Sequence, residues 1–226
     1  MPLIGATTPA PDPPRRAERA LPWRRASFAS LDFETTGLDY ERDAIVSFGI
    51  VPVDAGRVRL AGAVHQLVAP PVPPSSTSMR VHELLPKDLD GAPDLATASE
   101  RLRTALERRF LVAWFAELEV AFLARVFGTS TRAWWRRAVD VRRLAIAVGH
   151  IEPESRVSLT TAAGRAGVPV TSPHDALDDA LVAAQLFLVL ADRLERAGAG
   201  RVRNLITLTR GGLRTVGLER RVRAAV

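Results

Sequence analysis

From Ser27 to Glu34 the chain reads SFASLDFE, an apolar segment of strand length that carries two carboxylates, Asp32 and Glu34, at alternate positions. Successive strand side chains point to opposite faces, so both acids share one face while Leu31 and Phe33 take the other. Two carboxylates about 5 Å apart repel by about 3 kcal/mol at an effective dielectric near 20. A fold that keeps them on a buried strand needs neighbouring strands to satisfy the backbone and a positive partner to relieve the charge.

The segments that follow supply the strands. AIVSFGIVPV predicts a second strand and RVRLAGAVHQLV a third, with a tight turn at Asp54, Ala55 and Gly56 between them, so the chain opens as an antiparallel meander. After the proline-rich loop PPVPPSST, the spacing of Leu95, Ala98, Leu102, Ala105 and Leu106 predicts a helix over 95–109. A short strand over 110–114, a helix over 117–127, a strand over 138–141 and a helix over 142–148 come next. Two last helices are expected over 158–166 and 176–196, the second ending at Gly198. The order βββαβαβαα implies an α/β chain of ribonuclease-H-like topology: a mixed central sheet, antiparallel and then parallel, with helices on both faces.

At 226 residues one domain is expected, over 27–197. Residues 1–26, rich in Pro, Ala and Arg, are expected to form a disordered leader with Trp23 loosely held. Residues 198–226 form a basic extension that can pack as an amphipathic helix, bind phosphates or remain a solvated tail, the last being the default. No run of apolar residues is long enough to span a bilayer, and no apolar h-region follows the arginines near the start, so a cytoplasmic location with no membrane partner is expected. Cysteine is absent, which excludes thiol catalysis and thiolate metal sites and leaves carboxylates and imidazoles, a donor set suited to magnesium or manganese. The net charge of +6 rests on arginine, since Lys87 is the lone lysine. Arginine suits phosphate, but an arginine-rich composition is weak evidence by itself.

Two further clusters of acids lie downstream. In SPHDALDDA, Pro173 holds His174 in a loop and Asp179 projects from the first turns of a helix, while Asp175 and Asp178 are expected to do no more than complement the helix dipole. In VAWFAELEVAFL, Glu119 sits early in a helix behind Trp114 and Phe115; Phe115 is expected in the core, and Trp114 either stacks on a base or fills the core. Trp134 and Trp135 lie among Arg132, Arg136 and Arg137, which reads either as a guide for a strand or as a packed loop with solvated arginines. His65 and His150 are expected to be structural or solvent-facing.

LDFETTGL and the His-x-x-x-x-Asp of the last motif, followed by ALVAAQLF, resemble the first and terminal motifs of the DEDDh family, the DnaQ-like proofreading exonucleases. VHELLPKDL and VSLTTAAGRAGV are similar to lesser marks of that family, and the resemblance runs from about Ser27 to Arg193. It implies hydrolysis of phosphodiester bonds from the 3′ end of DNA or RNA, releasing nucleoside 5′-monophosphates, with two Mg2+ or Mn2+ ions. Carried over, Asp32, Glu34 and Asp179 hold the first ion, Asp32 faces the second, and His174 is the general base. Thr35, Thr36 and Gly37 line the terminal nucleotide, and His82 falls in a segment near the substrate. A DNA polymerase or another replication or repair protein is the implied partner. The middle motif departs from the family in two ways: Glu119 stands where an aspartate is usual, one methylene longer than magnesium's near-octahedral geometry favours, and Trp114-Phe115 replace a polar pair. The alternative is therefore a module of the same fold that binds nucleic acid with weakened catalysis.

Overall fold

A computed structural model describes residues 8–210. Six strands form one mixed sheet: β1 (Phe28–Thr35), β2 (Ile45–Asp54), β3 (Arg57–Val58), β4 (Val64–Leu67), β5 (Phe110–Ala113) and β6 (Ala138–Asp140). Across it the order is β3-β2-β1-β5-β6, with β4 also paired to β2. β1 and β2 are antiparallel, whereas β5 runs parallel to β1 and β6 parallel to β5. The helices are α1 (Ser76–His82), α2 (Leu95–Leu106), α3 (Ala116–Val126), α4 (Thr131–Trp135), α5 (Val141–Ala147), α6 (Leu159–Arg165), α7 (Ala176–Arg196) and α8 (Val202–Arg210).

The expected mixed sheet between helical layers is thus present, and its alternation sorts the core. Phe28 of β1 and Val51 and Val53 of β2 face α5 to α8, while Ala29, Leu31, Phe33, Phe48 and Ile50 face α2, α3 and α4. Asp32 and Glu34 therefore share the α7 face of β1. Helix α7 approaches closely because its inward residues Ala176, Ala180, Ala183 and Ala184 are small and buried.

Four expectations change. The third strand is split into β3 and β4 by a 3-10 turn at Leu60–Gly62. Pro52 on β2 has no N–H to offer that neighbour, and only its carbonyl is used, accepting from Arg59. Helix α1 forms where a loop was expected, capped by Ser75, whose hydroxyl accepts from the N–H of Ser78.

The leader, where described, is docked. Trp23 is 1% exposed, lies edge-on to Phe187 at 5.9 Å and donates through Nε1 to Glu195 at 3.0 Å. Burial of a ring this large offsets the entropy of ordering a proline-rich segment that already has few conformations to lose. Beyond Gly198, the solvated tail is replaced up to Arg210 by α8, which buries Val202, Leu205, Ile206 and Leu208 against the domain. Arg214, Arg220, Arg221 and Arg223 lie outside the described residues.

Candidate active site

The acids meet at the edge of the sheet where the parallel strands end. Asp32 and Glu34 come from the second half of β1, opposite Gly49 and Ser47 of β2. Glu119 comes from the first turn of α3, which starts just after β5, and Asp179 from the first turns of α7. The placement of α7 depends on Gly49: a Cβ there would lie 2.1 Å from the carbonyl oxygen of Ala176, so only glycine lets the helix start over β2.

Glu34, His174 and Asp179 bring one potential ligand atom each within 4.8 Å of one another, a group able to hold a metal ion. His174 is exposed and has a left-handed backbone, φ 66°, and its N–H donates to Asp179 Oδ2 at 3.1 Å. A non-glycine residue in that region costs conformational energy that the local hydrogen bond helps to offset.

Asp32 and Glu119 lie outside that trio but within its field. Burial lifts the Asp32 carboxyl well above the ordinary range, and Glu119, Glu34, Asp179 and Asp175 lift it further. Glu34 is pushed up to about 8 by burial and then by Asp179 and Asp175. Glu119, 4% exposed, is also pushed to about 8 by burial, its own backbone N–H opposing, and by Asp140 and Glu34. Asp179 is raised by burial against the opposing hydrogen bond from His174. Among the described residues no lysine or arginine acts on Asp32, Glu34 or Glu119. Glu119 Oε2 is buried without a hydrogen-bond partner. An orphaned carboxylate oxygen amid uncompensated acids is what a divalent-cation site looks like without its ion, and the oxygen-rich donors fit magnesium or manganese.

The remaining expected residues surround this cluster. Thr35 and Thr36 are buried and use their hydroxyls locally: Thr35 donates to Gly37 O at 2.6 Å, and Thr36 donates to Asp43 at 2.8 Å. The Thr36 N–H is likewise taken, by Ala44 O at 2.9 Å. Gly37 packs on the Asp43 carboxylate, where a Cβ would lie 2.4 Å from Oδ2. His82 is buried at the end of α1, its Nδ1 accepting from Leu84 N–H and its Nε2 unpartnered. It lines a cleft of about 200 Å³ with Glu34 and His174.

One aromatic expectation reverses and the open one is decided. Phe115 is 50% exposed rather than in the core, and Trp114 is the ring packed against the α7-side cluster. Strand alternation ends at Ala113, and Phe115 caps α3 with φ −129° and ψ 73°, which turns its ring outward. Asp175 fits its dipole role, accepting from the N–H groups of Leu177 and Asp178, whereas Asp178 does more, its carboxylate holding Thr171 and Ser172 of the preceding loop.

Two residues were missed. His65 lines the same cleft, 3.0 Å from Ser47 Oγ, because its pairing with Gly49 sets it across β2 from Asp32; no local signal reveals that register. Asp140 is 2% exposed, caps α5 and accepts from Ala116 N–H at 3.3 Å, tying α3 to β6 beneath Glu119. Its signal was an aspartate at a strand-to-helix junction. His150 is structural as expected, with Nε2 2.8 Å from Ala162 O.

Residues 30–187 match the family model described as Exonuclease (RNase T). The chain belongs to the exonuclease family. The DnaQ-like resemblance of its motifs is thereby borne out. Relatives of this exonuclease chain include a PolC-type DNA polymerase III of Thermotoga petrophila, 29% identical over 78% of the chain and 13% of the relative. A DNA polymerase III subunit epsilon-like protein of Rhodobacter capsulatus is 33% identical over 81% of the chain and 27% of the relative. The exonuclease chain thus spans a minor part of the length of these relatives. Among solved structures, Exonuclease X in complex with 5′ overhanging duplex DNA has a TM-score of 0.60 at 19% identity, over 80% of this chain and 99% of that one. E. coli Exonuclease I in complex with a dT13 oligonucleotide has a TM-score of 0.63 at 15% identity, over 76% of this chain and 42% of that one. At such identities these two show a shared fold. Among the described residues, no helix of the exonuclease is long and apolar enough to cross a membrane.

Proposed function

We propose that this nuclease removes nucleotides from the 3′ end of a DNA strand, single-stranded or frayed, releasing 5′-monophosphates. The observation that carries the reading is the convergence of Glu34, His174 and Asp179 within 4.8 Å beside the uncompensated carboxylates of Asp32 and Glu119. Two divalent cations, magnesium or manganese, supply when bound the positive charge that stabilises an in-line displacement at phosphorus. Asp32, Glu34, Asp179 and Glu119 are the residues that would hold them.

The other roles belong to the chain. His174 accepts the proton of the attacking water, and its exposed loop position lets the imidazole reach the scissile phosphate. Thr35, Thr36 and Gly37 present backbone to the terminal nucleotide, His82 closes one side of the cleft, and Trp114 steadies the wall behind α3. The named DNA complexes of the structural neighbours and the polymerase relatives favour DNA over RNA and a replication or repair partner.

The test uses a 5′-labelled oligonucleotide with magnesium or manganese. The protein is expected to shorten it stepwise, Asp32→Ala to abolish the ladder, and His174→Ala to slow it by about 10²–10⁴-fold, the usual contribution of a general base. A parent protein as inert as Asp32→Ala overturns the proposal and leaves a binding module of the same fold.

A further inference from the structure

Beside the edge strand β6 lies a group of arginines that the cleavage chemistry does not use. Arg16 and Arg19 of the leader, Arg136 of the turn before β6 and Arg210 at the end of α8 face one another: burial and then Arg210, Arg136 and Arg16 lower the pKa of the Arg19 guanidinium. None of the four forms an ion pair with a carboxylate among the described residues. Arg19 donates to the Arg136 carbonyl and Arg210 Nε to the Trp135 carbonyl at 3.2 Å, so each is positioned by backbone and retains most of its donors. Among the described residues the side chains of Arg16 and Arg136 make no hydrogen bond. Arg137 is different: buried over the Trp134 ring at 3.8 Å and donating to Pro11 and Asp12 carbonyls, it serves as floor.

The cluster occupies two hollows along β6. Arg16, Arg19 and Arg136 line a hollow of about 730 Å³ at the start of β5 and β6, the end of the sheet opposite the acids. Arg210 continues into a second hollow of about 280 Å³ with Trp135, Arg143, Thr209 and Glu117. Arg143 is in the first turn of α5, after β6 ends, and Glu117 is two residues from Glu119. Arginines therefore flank β6 from Arg136, just before it, to Arg143, just after it, the latter 3.9 Å from Asp140. Arg16, Arg19, Arg136 and Arg210 gather without a paired acid among the described residues, which is unfavourable unless an anion completes them.

We infer that this strip is a track for the phosphate backbone of a single-stranded polynucleotide leading away from the catalytic cleft. The inference rests on the nuclease reading for its direction and on the arginines for its chemistry. Guanidinium groups match phosphate oxygens in bidentate fashion, and the half-buried indole of Trp135 beside Arg210 offers a face on which a base can stack. An acidic peptide would satisfy the charge but leave the stacking face of Trp135 unused.

The experiment measures equilibrium binding by fluorescence anisotropy in EDTA, so that no turnover is needed. Labelled dT20 and dT4 are the probes, over a salt series, with the full chain and with Arg16→Gln/Arg136→Gln, whose side chains hold no internal contact. The parent protein should bind dT20 far more tightly than dT4. The double variant should lose about tenfold or more on dT20, with the salt slope reduced by roughly 1.4, about 0.7 per lost phosphate contact. Arg19→Gln/Arg210→Gln, with circular dichroism to confirm folding, should give the same loss.

Unchanged dT20 binding by both folded variants overturns the track, as does an Asp-rich peptide that displaces dT20 at equal concentration. If the parent cleaves normally while binding is independent of the arginines, only the track fails. If binding depends on the arginines while no nucleotide is released with manganese, only the nuclease reading fails.

Discussion

The carbonyl oxygen of Ala176 occupies the space into which a side chain on Gly49 would project, 2.1 Å from where its Cβ would stand. Gly49 pairs with Asp32 across the β1–β2 ladder, so the same contact sets how near the start of α7, with His174 and Asp179, comes to β1. Gly49→Ala should force α7 off the sheet at its catalytic end. The expected cost is about 1–3 kcal/mol of stability, the range for overpacking, with a larger fractional loss of nuclease turnover than of folded protein. Chemical denaturation alongside an activity assay separates the two; equal activity per folded molecule would show that the contact does not set the site.

Glu119 reaches into the cluster with an unpartnered Oε2. Glu119→Asp withdraws the carboxylate by one methylene and should change the manganese-to-magnesium activity ratio by about tenfold, the scale on which displaced ligand-shell groups act. Glu119→Gln keeps the length, removes the charge and should depress activity with both ions. Metal titrations of the two variants read this directly, and an unaltered ratio in the aspartate variant would mean that Glu119 touches neither ion.

The raised carboxyls make the metal-free protein sensitive to pH. Glu34 and Glu119 move from an ordinary value of 4.5 to about 8 on folding, so in that window the folded state binds more protons than the unfolded one and stability falls as pH rises. His82, whose pKa is lowered from 6.5 mainly by burial, contributes the opposite slope, but only below that value. Thermal melts in EDTA should therefore show Tm falling between about pH 6.5 and 8, and manganese should flatten or reverse the fall. A Tm that rises with pH in EDTA would contradict the burial of these acids.

Trp23 fastens the leader to α7, its ring on Phe187 and its Nε1 on Glu195, with Arg24 paired to Asp192 and Glu195. Trp23→Ala should cost about 3–5 kcal/mol, as large-to-small changes of buried aromatics do. A leader that merely trails would yield no change in the denaturation midpoint.

What was legible in the chain follows the range of the forces involved. Strands β1 and β2 and helices α3 and α7 are written in local apolar patterning or helical spacing, and the acidic motifs fall on β1, α3 and α7, so Asp32, Glu34, Glu119 and Asp179 were singled out without knowing the contacts between them. The break between β3 and β4 was not, because its cause, Pro52, lies on the neighbouring strand. Phe115 was misplaced because the end of β5 falls between Ala113 and Trp114, and one residue of register moves a ring from core to solvent. The leader's composition speaks of an open chain, and its single tryptophan outweighs the prolines once a pocket beside Phe187 exists. His65 and Asp140 were invisible as site residues because only the assembled sheet puts them beside the acids.

The hydroxyl of Thr209 takes the N–H of Asp140 at 3.0 Å and passes its own proton to Leu205 O at 3.1 Å. Asp140 ends the outermost strand, whose free donors would otherwise invite another chain to extend the ladder. With a threonine of its last described helix set there, the molecule leaves that N–H unavailable for strand addition.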